Sequence, residues 1–165
     1  MMNRNKLFES ILQESAQRFV VLGPYDEDGA DVAGTVDSEE KALKLGKLFL
    51  TSKGYCTEED LREPEGMSNG DWLMTDPDFD CDGRSGAHIT ILPIVGNGSY
   101  VILGDDGDSF FIVGDKAYPS SESAAEGLAE SDPEAEQDED DEDIWYADDV
   151  TYEIVGINKV MQEMV

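Results

Sequence analysis

Apolar positions along this chain fall into helical and strand spacings in turn. Leu7, Phe8, Ile11 and Leu12 share one stripe of residues 5–17, a spacing that predicts a short amphipathic helix. The run Phe19, Val20, Val21, Leu22 is β-branched and aromatic and is stopped by Gly23 and Pro24, so a strand is expected there. Tyr25, Asp26, Glu27, Asp28 and Gly29 then turn the chain into a weaker second strand over residues 30–36, completing a hairpin. Asp37 or Ser38 can cap a following helix, with Glu39 and Glu40 favourably placed in its first turn. That helix runs to about Ser52. Ala42, Leu45, Leu48 and Phe49 line its apolar side, Lys41, Lys44, Lys47 and Lys53 its polar side, and Gly54 stops it.

Beyond this point the periods shorten. Thr57 caps a helical turn over residues 58–62 that Pro64 ends, residues 63–70 read as loop, and 71–75 are apolar without a decisive period. A loop over 76–86 leads into three strand-like runs, residues 88–95, 100–103 and 110–113. Asn97-Gly98 and Asp105-Asp106-Gly107-Asp108 are the turn chemistry of antiparallel hairpins joining these three runs. Residues 150–155 read as a further strand, and 157–165 as a terminal helix or extended segment. The pattern predicts an α+β fold: a mainly antiparallel sheet built from hairpins, with two or three helices.

Charge adds a feature that the hydrophobic pattern lacks. The chain of 165 residues carries 39 acids against 11 bases, a formal net charge of -28. Residues 119–149 hold 14 of the acids and no Lys or Arg, and six of them are consecutive: Asp138, Glu139, Asp140, Asp141, Glu142 and Asp143. Adjacent carboxylates repel one another and offer nothing to bury, so a long acidic disordered loop is expected here. The expected division is an acidic α+β body (1–118), an acidic flexible loop (119–149), and a return strand with a C-terminal segment packing on the body (150–165). The body is itself acidic, 23 acids to 10 bases. Repulsion therefore disfavours direct binding to nucleic acid or to an anionic membrane, and favours basic partners.

Cys56 and Cys81 form no CxxC pair, which suits free thiols in a reducing compartment. Residues 7–19 are interrupted by Glu9, Gln13, Glu14 and Gln17, so they do not form a signal core, and no apolar run approaches membrane-spanning length. A cytoplasmic protein is expected, in the host cytoplasm if a phage encodes it.

Candidate chemistry is sparse. Asp76, Asp78, Asp80 and Asp82, followed by Gly83, match the opening of a calcium loop, but the twelfth position is Ile89 where a bidentate carboxylate belongs. These four aspartates are a weak cation candidate, and no metal is expected. Asp76-x-Asp78 and Gly104-Asp105-Asp106 are similar to the paired aspartates of haloacid-dehalogenase-like phosphotransferases. The short stretch between the two, with no helices, and the missing Thr and Lys exclude that reading. His88 is the one histidine and has no partner for a zinc or triad site. Gly96-Asn97-Gly98 lacks the spacing and the helix of a phosphate cradle. No enzymatic activity and no cofactor are expected.

The acidity remains. Duplex DNA carries one charge per ~1.7 Å of axis, and carboxylates alternating along strands reach a comparable pitch. The chain resembles, as a physical type, the acidic DNA mimics that phages and mobile elements use to inhibit host defence or nucleic-acid-processing proteins. The expected partner is a basic nucleic-acid-binding protein whose cationic groove the acids occupy. The contacts would come from Glu134, Glu136, Asp138, Glu139, Asp140, Asp141, Glu142, Asp143, Asp148 and Asp149, with Trp145 and Tyr146 as apolar anchors. The alternatives are an immunity or antitoxin protein neutralising a cationic toxin, a phage virion or accessory protein, and a weak Ca²⁺ binder.

Overall fold

A computed structural model describes residues 17–24 and 31–165. The helix expected over 5–17 and the turn at 25–29 lie outside them, except that Gln17 opens a strand. The chain forms two compact units. One comprises residues 19–92 and 157–165, the other residues 93–156 together with Gln17 and Arg18. Mixed α+β architecture with antiparallel pairing holds in each.

The first unit is built on a five-stranded sheet in the order β2-β1-β7-β4-β3. Its strands are β1 (Gln17–Leu22), β2 (Val32–Val36), β3 (Leu61–Gly66), β4 (Asp71–Thr75) and β7 (His88–Val95). β1 and β2 make the expected antiparallel hairpin, with Val20 opposite Thr35 and Val21 opposite Gly34. Helix α1 (Glu39–Ser52) begins where Ser38 accepts a hydrogen bond from the Lys41 N–H at 3.2 Å. It buries Ala42, Leu45, Phe49 and Leu50 in a core shared with Val21, Met74, Ile89 and Ile91. Gly46 lies on the same face, where a Cβ would collide with the Ile89 side chain, so glycine sets how closely helix meets sheet.

Two expectations change here. Residues 63–66 are strand rather than loop, and residues 71–75 are a strand between β3 and β7. Pro64 misleads because a proline excluded from a sheet interior is tolerated on an edge, and β3 is an edge whose pairing is irregular between Leu61 and Glu65. Within the expected loop 76–86, β5 (Asp80–Cys81) and β6 (Arg84–Ser85) form a minimal hairpin.

The second unit has the sheet order β10-β11-β12-β8-β9, antiparallel throughout. β8 (Tyr100–Asp105) and β9 (Phe110–Ile112) form the expected hairpin, and β12 (Val150–Gly156) is the expected return strand. β7 and β8 do not pair with each other. β8 has β12 and β9 on its two sides, while Tyr118 exchanges backbone hydrogen bonds with Tyr100 at 2.7 and 3.1 Å. Arg18 holds the intervening Gly96 and Gly98 carbonyls at 2.8 and 2.7 Å, so Asn97-Gly98 serves as a connector between sheets.

The largest correction concerns residues 119–149. In place of a disordered loop they contain helix α2 (Ser121–Ser131) and strands β10 (Glu136–Gln137) and β11 (Ile144–Ala147). Ser120 caps α2 by accepting from the Ser123 N–H at 3.1 Å. Ala124 and Leu128, four apart, place two apolar side chains on one face, where they pack with Ile102, Tyr118, Tyr152 and Ile154. Average composition concealed an amphipathic period. In the first unit, residues 157–165 end in a 3₁₀ turn (Val160–Met164), with Met161 and Val165 packed on the core.

Candidate functional site

Charge is unevenly shared between the units. Residues 93–156 hold nineteen acids and one base, Lys116, whereas residues 19–92 hold seventeen acids and six bases. Lys116 Nζ lies 5.0 Å from the Tyr118 ring centroid, a cation–π contact within the same unit. The candidate surface is therefore the acidic edge of the second sheet, where β10 and β11 carry the six-acid run as their connecting loop.

That loop is built by its own aspartates. Asp138 Oδ1 accepts from the N–H groups of Asp140 at 2.8 Å and Asp141 at 3.0 Å, and Asp141 Oδ1 accepts from Asp143 N–H at 3.0 Å. Such Asx turns let a short carboxylate stand in for the backbone, which is why aspartate suits tight loops. The loop base is closed by Asp138 N–H donating to the Ile144 carbonyl at 2.8 Å and by the Gln137 amide donating to the Glu142 carbonyl at 2.8 Å. The Asp143 carbonyl accepts from Ile154 N–H at 2.8 Å, tying the loop to β12. The Asp140 N–H, and then the Tyr146 hydroxyl, hold the Asp138 carboxyl below its ordinary range. The same hydrogen bond raises the Tyr146 phenol.

Strand register fixes what stands beside the loop. Glu136 lies opposite Tyr146, Tyr146 opposite Thr151, and Thr151 opposite Asp105, one row across four strands. Strands are ~4.8 Å apart, so this row sets two carboxylates about 14 Å apart with a phenol and a hydroxyl between them. Tyr146 is 47% exposed. Trp145, its neighbour, turns the other way into the core against Tyr152, and its indole N–H has no hydrogen-bond partner among the described residues. Of the two expected anchors, only Tyr146 faces outward. Glu134, Glu136, Glu139, Asp140, Asp141, Glu142, Asp148 and Asp149 are exposed, and Asp138 and Asp143 are partly buried. Asp148 and Asp149 make the two-residue turn between β11 and β12, with Asp148 at φ 47°.

Two features escaped the sequence, Glu153 and a cleft beside α2, while the turn expected at residues 105–108 takes its form from Asp106. Glu153 projects from β12 opposite Ile144, where burial first, and then Asp141 and Asp143, raise its carboxyl above the ordinary range. Only its place in an alternating strand hinted at partial burial. Asp106 organises the β8–β9 turn, accepting from Asp108 and Ser109 N–H groups at 2.9 Å each, and those bonds lower its carboxyl. A cleft of about 230 Å³ opens between α2 and the acidic loop, lined by Ser121, Glu122, Gln137, Glu142, Asp143 and Ile154.

The remaining candidates are dispersed. Asp76 accepts from Asp78 N–H and Asp80 from Gly83 N–H, both at 2.9 Å, so two of the four aspartates fold their own loop. Among the described residues no three His, Cys, Asp or Glu side chains converge to hold a metal. Cys56 and Cys81 are buried free thiols in one core, both raised chiefly by burial. The His88 ring lies 3.3 Å from the Ser85 carbonyl.

No described helix is long and apolar enough to cross a membrane. Comparison of the chain with protein-family models, with curated proteins and with solved structures finds no match.

Proposed function

We propose that this chain is an acidic nucleic-acid mimic, an inhibitor of phage or mobile-element type that occupies the cationic groove of a basic nucleic-acid-binding protein. The observation that carries the reading is that the acid run is a hydrogen-bonded hairpin loop rather than a solvated tether. A loop whose backbone is held by the Asp138 and Asp141 carboxylates loses little further backbone entropy on binding, which is what a preorganised decoy requires. Density supports it too. Residues 93–156 carry a formal charge of -18. On duplex DNA that much charge extends over about 30 Å. A compact chain of that length has a radius of gyration of about 11 Å, hence a diameter near 28 Å. The two charge densities match. Glu134, Glu136, Asp138–Asp143, Asp148 and Asp149 would supply the contacts, and Tyr146 an aromatic surface for a guanidinium.

The test is capture of partners on immobilised protein from a host lysate, eluted with duplex DNA and separately with salt. Basic nucleic-acid-binding proteins released by DNA are the expected result. A single tightly held basic partner indifferent to DNA would replace mimicry with neutralisation of a cationic toxin. Capture of nothing basic would end both readings.

A further inference from the structure

Two asparagines of this chain precede a glycine, Asn69 before Gly70 and Asn97 before Gly98, and both are exposed. An Asn-Gly pair can rewrite itself without an enzyme. The glycine nitrogen attacks the asparagine Cγ, a C–N bond forms, and the side-chain amide leaves as ammonia, carrying off the glycine N–H proton. Water, the only co-reactant, then opens the resulting cyclic imide at either carbonyl. Opening on one side gives aspartate. Opening on the other gives isoaspartate, whose main chain runs through the side chain and is one methylene longer. Glycine favours the first step because no side chain crowds its nitrogen and its dihedrals are permissive.

The two pairs are held differently. Asn69 and Gly70, at φ 58° and 81°, form the centre of the β3–β4 turn. Backbone hydrogen bonds close that turn, from Asp71 N–H to the Ser68 carbonyl at 3.1 Å and from Met67 N–H to the Asp71 carbonyl at 2.8 Å. Asn97 sits instead between two carbonyls pinned by one side chain. Arg18 Nε donates to the Gly96 carbonyl at 2.8 Å and Nη2 to the Gly98 carbonyl at 2.7 Å. A guanidinium is planar and its donors are fixed relative to one another, so it sets the spacing of those carbonyls. Gly98 is also pressed against the Tyr118 backbone, which a Cβ would strike. Cyclisation requires the peptide plane between Asn97 and Gly98 to turn toward the Asn97 side chain. With a carbonyl held on each side of Asn97, that turn must strain or break charge-assisted hydrogen bonds.

We propose that Asn97 is a self-modification site, converting to aspartate and isoaspartate, and that Arg18 is the positioning residue that restrains it. The extra methylene of isoaspartate shifts one carbonyl relative to the other, so a converted connector no longer fits the guanidinium fork. Loss of ammonia makes the change one-way.

Arg18→Met removes the donors and keeps the side-chain length, while Arg18→Lys keeps the charge without the fork. Wild type and both variants are incubated folded in mildly alkaline buffer, with urea-unfolded wild type as the reference. Peptide mass spectrometry follows amide loss at Asn97 and at Asn69, and enzymatic methyl transfer reports isoaspartate. Folded wild type should convert Asn97 at least about tenfold more slowly than the unfolded chain. Arg18→Met should raise the folded rate about tenfold or more, with Arg18→Lys between, and leave the Asn69 rate unchanged. Equal Asn97 rates in folded and unfolded wild type, or in wild type and Arg18→Met, refute the restraint. Acceleration of Asn69 by the same factor also refutes it, because general unfolding then accounts for the change. No conversion at Asn97 even in the unfolded chain refutes the site.

Discussion

Leu128→Ala tests the ordering of the acidic segment at its structural root. Leu128 is fully buried on the inner face of α2, and its carbonyl accepts from the Asp132 N–H at 2.8 Å where the helix ends. Truncation removes three carbons, about 2.4 kcal/mol of transfer free energy at ~0.8 kcal/mol each. The cavity left behind brings the expected cost to roughly 2–5 kcal/mol. Small domains hold about 0.05–0.15 kcal/mol per residue, so a unit of this size holds on the order of 3–10 kcal/mol. The substitution therefore consumes much of it. Hydrogen exchange followed by mass spectrometry reads the effect on peptides covering Ser121–Ser131 and the β10–β11 hairpin. With 1.4 kcal/mol per factor of ten, exchange in the helix should accelerate by about thirtyfold or more. If the wild-type helix already exchanges at unprotected rates, or if Leu128→Ala leaves the rates alone, α2 is not packed. The acid run would then be the solvated tether that its composition suggests, and preorganised mimicry would lose its support.

Other substitutions probe other parts of the argument. Glu153 has a folded carboxyl pKa raised above its unfolded value, so its stabilising contribution is complete below the unfolded pKa and is lost as pH rises through the folded one. Glu153→Gln should raise the urea midpoint at pH 7 and flatten the mildly acidic limb of the stability curve. For Asp138 the sign reverses: its pKa is depressed, so its contribution is present above the unfolded value and disappears as pH falls through the folded one. Asp138→Ala should loosen the loop at neutral pH, seen as faster amide exchange at Asp140 and Asp141, while Asp138→Asn keeps an acceptor and most of the protection. Gly46→Ala should destabilise the first unit by about 1–3 kcal/mol despite better helix propensity, because the added Cβ meets Ile89. A thermal melt that rises would show the helix free to shift.

Much of the fold was legible because the local rules agreed. Ser38, Glu39 and Glu40 announced α1, β-branched runs announced β1, β7 and β12, and Asp-Gly turn chemistry announced the β8–β9 hairpin. The failures had physical causes. Pro64 was read as a breaker because an edge strand and an interior strand look alike until neighbours are known. Asn97-Gly98 carries hairpin chemistry, yet β12, distant in sequence, takes the side of β8 that β7 would have used, and no local signal reports such a competitor. α2 was missed because only Ala124 and Leu128 mark its buried face amid glutamates and serines. Charge singles out the acidic segment in the sequence but does not report its mechanics. Two aspartates of the run that looks merely repelling, Asp138 and Asp141, are acceptors in i to i+2 turns, as are Asp132, Asp76, Asp105 and Asp106 outside it. Charge counts do not reveal which carboxylates are also backbone caps.

The packing of residues 157–165 on the first unit's core is fastened by Gln162 Oε1 accepting from Thr35 N–H, a bond that spans 127 positions of sequence and bears on how the chain leaves the ribosome. Synthesis proceeds at about 5–20 residues per second, so Thr35 precedes its partner by roughly 6–25 s. Hairpins close in microseconds, so β1 and β2 can pair long before residues 157–165 exist. Through that interval β2 lacks the segment that covers it in the folded chain. A dense negative charge, nineteen carboxylates of it emerging before residue 93, is then the protection available. The carboxylates that the proposed recognition would use are thus preceded by others that can keep nascent chains apart.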